Sequence, residues 1–207
     1  MILHPSEQAP RPSARERLLT AADDLFYAQG LDATGVDAII EAADVARMTF
    51  YKHFRGKDAL IVAYLEQRDI RWRRLLAETL TAAGPDPLAR IRSVFEALAT
   101  CHTEPGFRGC SFANATAQLA HREHPARAIV TGHKAALRTE LAQLVDQAGF
   151  LSAEELVDTL LILYEGASTT QALGTVEDSI AKARTAVDRL LDSWPRTGRA
   201  EGVQDTP

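Results

Sequence analysis

The stretch Val45-Ala46-Arg47-Met48-Thr49-Phe50-Tyr51-Lys52-His53-Phe54-Arg55-Gly56-Lys57-Asp58 sets apolar side chains at helical spacing (Val45, Phe50, Phe54) beside a second face of Arg47, Thr49, Tyr51, Lys52 and His53. Cations and hydroxyls on the exposed side of a short helix are what entry into a DNA groove requires. A preceding short helix, Val36 to Ala42, buries Ile39 or Ile40, and Ala42-Ala43-Asp44-Val45 forms a tight turn. Asp is among the few non-glycine residues that tolerate a left-handed turn position. Two short helices around such a turn satisfy the geometry of a helix-turn-helix, one clamping the backbone and one entering the major groove. The competing reading keeps Tyr51, His53 and Phe54 as an aromatic packing cluster, with Arg47 and Lys52 on a solvated face.

Upstream, Ser13 with Glu16 three residues on is a capping-box signature, and a helix runs from there to Gly30 with Leu18, Ala22, Leu25 and Phe26 on one face. Gly30 sits where a helix-ending glycine belongs. Residues 1–12, with Pro5, Pro10 and Pro12, are expected to be a disordered arm. Downstream, helical periodicity predicts helices over about 59–82, 88–102, 111–121 and 126–148, the last with Ile129, His133, Leu137, Leu141, Leu144 and Val145 inward. Ser152 is expected to cap the next helix, which is apolar on more than one face from Leu156 to Leu173 and so buried on more than one side. Asp178 or Ser179 starts a last helix ending near Trp194, and the polar tail 195–207 is expected to be disordered. No strand-period segment or internal repeat is present. The fold class is all-α: a three-helix DNA-binding domain at 13–58 followed by a helical ligand-binding and dimerisation domain at 59–194.

The 207 residues are 46% hydrophobic and 25% charged, ordinary for a globular protein with a real core. A formal net charge of -5 gives no bulk attraction to nucleic acid, so any basic surface must be local. Within residues 1–58, seven Lys and Arg against nine Asp and Glu leave -2, with the cations clustered at 11–17 and 47–57. Such a patch suffices for counterion release but implies weak non-specific binding. The first residues lack the apolar run of a secretion signal, and no segment reaches the roughly 18 uninterrupted apolar residues of a membrane span, so the expected location is the cytoplasm. Cys101 and Cys110 fit a reducing compartment. With His102, His121 and His124 they match no standard zinc spacing; a thiol switch at Cys110 is an alternative use.

From Arg15 to Leu60 the chain strongly resembles the DNA-binding domain of the tetracycline-repressor (TetR) family. The matching residues are Phe26-Tyr27-Ala28-Gln29-Gly30, Thr34, Ala43-Asp44-Val45, and the run Thr49-Phe50-Tyr51-Lys52-His53-Phe54-Arg55-Gly56-Lys57-Asp58-Ala59-Leu60. The resemblance implies that Arg47, Met48, Thr49 and Lys52 face bases and that Thr34, Tyr51, His53 and Lys57 touch phosphates. The residues alone leave Lys52 open to either role, and Arg47 is suited to guanine O6/N7. Three departures stand out: Gly35 where the family often has a capping Ser or Thr, Ala46 in place of a Ser cap, and Asp44 in place of the turn glycine. Affinity would then lean on Arg11, Arg15 and Arg17.

The remainder is expected to carry an effector cavity lined by Trp72, Phe95, His102, Phe107, Phe112, His133 and Tyr164, each of which taken singly reads more readily as ordinary core. The helices at about 154–173 and 178–194 lie where the family builds its homodimer interface, and small residues such as Gly166 and Ala167 allow close approach. Two recognition helices must also reach half-sites about one DNA turn apart. The implied partners are a double-stranded DNA operator, a second copy of the chain and a small-molecule effector. The function expected is that of a transcriptional regulator, most often a repressor released by its effector. An all-α carrier or enzyme with an incidental helix-turn-helix-like hairpin is the alternative, but no nucleophile motif, phosphate loop, metal triad or cofactor motif accompanies it.

Overall fold

Capping chemistry sets where the first helix begins. The Ser13 side chain accepts the Glu16 amide, the Glu16 carboxylate accepts the Ser13 amide, and α1 (Ala14–Gln29) runs to Gly30, whose φ of 97° no β-carbon would favour. The computed structural model describes residues 11–103, 106–119, 121 and 123–197. The first ten residues of the expected arm, and the tail from 198, lie outside them. Among the described residues there are nine helices and no strand beyond one isolated bridge: α2 (Val36–Ala42), α3 (Arg47–His53), α4 (Lys57–Ala82), α5 (Pro87–His102), α6 (Ser111–Gln118), α7 (Ala126–Gln147), α8 (Ala153–Leu173) and α9 (Ser179–Ser193).

Two apolar cores organise them. The head core gathers Leu18, Ala22 and Phe26 of α1, Ile39 of α2, and Phe50 and Phe54 at α3, together with Leu60, Tyr64 and Leu65 of α4. It also takes in Phe112 and Ala115 of α6, Leu119 just after it, and Ala126 of α7. The body core is built from Leu76 and Leu80 of α4, Ile91 and Phe95 of α5, Leu137 and Leu141 of α7, and apolar residues of α8 and α9. α4 therefore serves both cores, one with each half. The expected boundary at residue 58 falls inside this continuous helix, which starts at Lys57 rather than 59. Since α6 and the start of α7 pack into the head, the division between head and body does not follow the order of the chain.

Several ends depart from expectation. Asp86, which falls between the helices expected at 59–82 and 88–102, caps α5 by accepting from the Leu88 and Ala89 amides at 3.1 and 3.2 Å, with Pro87 behind it. Ser152 and Asp178 precede α8 and α9 but have φ of 48° and 50° and make no side-chain cap. A capping side chain needs extended backbone at that position to reach the first-turn amides. Ser179 instead donates to the Ala167 carbonyl at 2.9 Å and pins the start of α9 to α8. The chain also stays ordered past Trp194. Leu151 donates to the Pro195 carbonyl at 2.9 Å, Thr197 donates to the Gly149 carbonyl at 2.8 Å, and Arg196 lies over the Phe150 ring.

Candidate nucleic-acid interface and adjoining cavity

Burial divides α3 cleanly. Phe50 is wholly buried and Phe54 nearly so, their rings tilted against each other with centroids 6.0 Å apart. Arg47, Met48, Tyr51, Lys52 and His53 are exposed and Thr49 is half-buried. Met48, at 79% exposure, is a large apolar side chain held in water beside cations, the setting in which a base-edge methyl contact is available. Neither Gly35 nor Ala46 supplies a side-chain cap to its helix, as their side chains dictate. Asp44 takes the left-handed turn position at φ 51°. The Arg47 guanidinium is already paired with Asp37 on α2, both side chains being well exposed.

Two side chains expected to meet DNA are engaged within the head. Thr34 is fully buried, and its hydroxyl lies on the Gly30 carbonyl at 2.8 Å and the Leu25 carbonyl at 3.2 Å, where it satisfies the end of α1. A hydroxyl with one proton, so enclosed, has nothing left for a phosphate. Arg17 braces the turn: its guanidinium donates to the Ala43, Pro12 and Asp44 carbonyls at 3.0, 3.0 and 3.1 Å. Arg11 pairs with the Asp44 carboxylate at 2.7 Å, and Arg15 lies over the Phe54 ring. Two cations of the expected arm thus also hold the turn itself. Lys57 remains half-buried and donates to the Asp32 carbonyl at 3.3 Å.

Behind this head a polar seam joins α1 to α6. Tyr27 donates to the Gly109 carbonyl at 2.9 Å and accepts the Arg108 amide at 2.8 Å. Gln118 on α6 accepts the Leu31 and Asp32 amides at 2.6 and 3.3 Å. A β-carbon at residue 30 would come within 2.7 Å of that same Gln118 oxygen and push the side-chain amide off the Leu31 and Asp32 amides, while the backbone angle itself already favours glycine.

Above the seam lies a cavity of about 390 Å³ bounded by α1, α4, α5, α6, α7 and α8. It brings together six of the expected lining residues: Trp72, His102, Phe107, Phe112, His133 and Tyr164. Phe95 is the exception. It is wholly buried in the body core, 5.8 Å from the Tyr164 ring, and shapes the cavity only through that ring. His133 is nearly buried, stacked on Phe112 at 3.6 Å and bonded through Nδ1 to Asp69 at 2.8 Å. Burial outweighs the Asp69 carboxylate and lowers its pKa to about 4, so the ring is neutral. His102 faces Phe107 at 3.7 Å, and burial lowers its pKa to about 4 as well. Neither of its ring nitrogens has a partner among the described residues. A buried polar group without a partner costs about 1–3 kcal/mol. Trp72 donates to the Tyr164 hydroxyl at 3.4 Å. Lys134 reaches both Cys110 and Glu165; burial acts to lower its pKa, but these two partners outweigh it and the ammonium form is held.

Arg68, Arg71 and Asp23 also line this wall and were missed from the sequence, where the charged middle of α4 looks like a solvated surface. The signal was present in their spacing. Positions 68, 71, 72 and 75 fall on one helical face, so the arginines share it with Trp72 and Leu75.

Residues 18–64 match the model for bacterial regulatory proteins of the tetR family, and residues 87–187 match that for the tetracyclin repressor-like C-terminal domain. The chain is 30% identical over 162 residues to the transcriptional regulator AcuR of Cereibacter sphaeroides, an overlap covering 74% of each protein. The chain belongs to the TetR family. The fold agrees: SCO4454, a TetR-family transcriptional regulator from Streptomyces coelicolor, superposes with a TM-score of 0.78 at 34% identity, over 86% of this chain and 94% of that one. A TetR regulator from Streptomyces avermitilis described as putative superposes with a TM-score of 0.71 at 29% identity, over 87% and 99%. The chain is therefore a DNA-binding transcriptional regulator with the TetR helix-turn-helix head and helical C-terminal domain. TetR regulators bind operator DNA, usually as dimers responding to small molecules, and are generally not enzymes.

Proposed function

We propose that this regulator represses transcription from an operator and is released from it when a small molecule enters the cavity behind the head. The observation that carries the reading is that the cavity and the head share their walls. α1, α4 and α6 line the cavity, and the same three helices pack the core beneath α3. A ligand that shifts those helices cannot leave α3 in place, which is the physical content of a coupling free energy between two sites. In this reading Arg47, Met48, Thr49 and Lys52 meet base edges, and Tyr51, His53 and Lys57 meet phosphates. Arg47 exchanges Asp37 for its base on binding.

Dimerisation through α8 and α9 supplies the second recognition helix. Its support is the outward stripe of α8, where Ile162 and Leu173 are 72% and 69% exposed and Gly166 between them has open space around it. Solvent-facing apolar residues flanking a glycine on one helix form a surface for close helix approach. No helix of the described residues is long and apolar enough to cross a membrane, and we assign the protein to the cytoplasm, where its operator is.

A gel shift with DNA from upstream of the protein's own coding region tests the reading. A specific complex, weakened in Arg47→Ala and dissolved by a compound that raises the melting temperature, is the expected result. Absence of any specific complex there and in a genomic selection defeats it. Ile162→Lys should convert a sedimenting dimer to monomer and lose the complex; a variant still dimeric defeats the assigned interface.

A further inference from the structure

Among the described residues, the cavity wall carries a positive charge that its own side chains leave unmatched. One oxygen of Asp23, on α1, accepts both Arg68 Nε at 2.6 Å and an Arg71 nitrogen at 2.9 Å. The other cations of the wall pair singly: Lys134 with Glu165, and Arg74 with Glu78. Two guanidiniums on one carboxylate leave a net charge of one. Asp23 and Arg68 are largely enclosed, with side chains 16% and 19% exposed, whereas Arg71 is 45% exposed and, among the described residues, hydrogen-bonds to Asp23 through one nitrogen. The planar fork of Arg71 therefore keeps donors for a second carboxylate. Beside this corner the wall is apolar and aromatic, with Trp72, Leu75, Leu98, Phe107 and Phe112. At its α5 end stands His102, whose two ring nitrogens have no partner among the described residues.

We propose that the cavity binds an apolar molecule bearing a single carboxylate, and that this carboxylate draws Arg71 away from Asp23, which stays paired with Arg68. The inference rests on the cavity being the effector site. One unmatched charge suits a monoanion better than a phosphate, and the aromatic wall takes the apolar body. Asp23 acts as the resident anion in the ligand-free protein. Because Asp23 is on α1 and the arginines are on α4, the exchange removes a tie between the head and the long helix. Ligand thereby loosens α1, and by reciprocity operator DNA, which holds α1 and α3 in place, weakens the ligand.

Calorimetric titration of the full-length protein with matched acid and amide pairs tests this: 3-phenylpropanoate against 3-phenylpropanamide, and octanoate against octanamide. Loss of a charge-assisted bidentate contact implies that at least one acid binds about tenfold or more tighter than its amide. Arg71→Gln, at an exposed position, should remove that preference without moving the melting temperature. Asp23→Asn, which removes the competing anion, should tighten the acid. Amides binding as well as acids, a preference that survives Arg71→Gln, or no binding of any acid each overturns the proposal. A gel shift run alongside separates it from the reading beneath it. A neutral compound that binds and releases the operator overturns the carboxylate but leaves the effector cavity standing. An acid that binds through Arg71 yet leaves the operator complex untouched overturns the effector reading.

Discussion

Head and body differ in how each is made. The body closes its core with its own helices, and Phe95, Leu137, Leu141 and Leu156 are wholly buried within it. The head, built on the short helices α2 and α3, does not close alone. It borrows Phe112, Ala115, Leu119 and Ala126 from α6 and α7. Seven-residue helices have too little surface to hold themselves, so their stability comes from tertiary packing. A head completed by body residues is a head whose geometry the body can alter, and one of those residues, Phe112, lines the cavity.

The largest test of that difference compares two phenylalanines. Phe112→Ala and Phe95→Ala should each cost about 3–5 kcal/mol, as deletion of a buried aromatic does. By chemical denaturation the losses should be similar. In operator binding by the folded fraction they should part, with Phe112→Ala weakened and Phe95→Ala near wild type. Equal operator affinities would remove the distinction between borrowed and owned core.

Acid probes the same place. His133 has its folded pKa lowered to about 4 from 6.5, so the unfolded chain binds the extra proton first. The stability it contributes is present above pH 6.5 and is lost as pH falls from there towards 4. Full protonation is worth on the order of 3 kcal/mol for this 4%-exposed ring. The melting temperature should begin to fall before the carboxylates titrate, and His133→Phe should shrink that early limb, leaving the share of His102, whose pKa is lowered alike. An unchanged limb in the variant would place the acid sensitivity elsewhere.

Arg47→Ala should cost about 1–3 kcal/mol of operator binding and relax discrimination at one base position, with no change in melting temperature. A uniform loss across operator variants would instead make Arg47 a phosphate contact. Gln118→Ala removes the acceptor for the Leu31 and Asp32 amides and should cost about 1 kcal/mol. Its informative effect is on coupling: ligand affinity should hold while ligand-driven release of the operator shrinks. Asp37→Asn has the smallest effect, since an exposed pair contributes less than about 1 kcal/mol. It frees Arg47, and operator affinity should rise a few-fold; a fall would mean that the pair positions Arg47 productively.

The helices were legible in the sequence because burial on one side of a helix repeats every 3.6 residues, and α1 with its capping box was legible to the residue. The head was legible further still, down to the missing caps at Gly35 and Ala46 and the left-handed Asp44, because those features are local. What depended on partners distant in the chain was not. Thr34 is a local exception: its hydroxyl, which a phosphate could use, is taken by the Gly30 and Leu25 carbonyls only four and nine residues back, where the chain folds over the end of α1. Arg17 looks like a free cation until the turn carbonyls of Ala43 and Asp44 are brought to it. The cavity was half legible: aromatic residues announce a wall, but whether Phe95 faces space or core depends on α8 and α9. Arg68 and Arg71 lie in a run of charges that reads as surface, and Asp23 converts it into a wall by arriving from another helix.

The continuity of α4 carries a geometric consequence. At about 1.5 Å of rise per residue, its 26 residues span about 39 Å from the floor of the head to the far side of the cavity. A tilt of about 5° at one end then moves the other by about 3.4 Å, which is one base-pair step along a DNA strand. Across a two-fold axis the displacements add, so two heads set about 34 Å apart would be out of phase with their half-sites by about two base pairs. An angular change small enough to be absorbed by one exchanged ion pair in the cavity is therefore large on the scale that DNA measures.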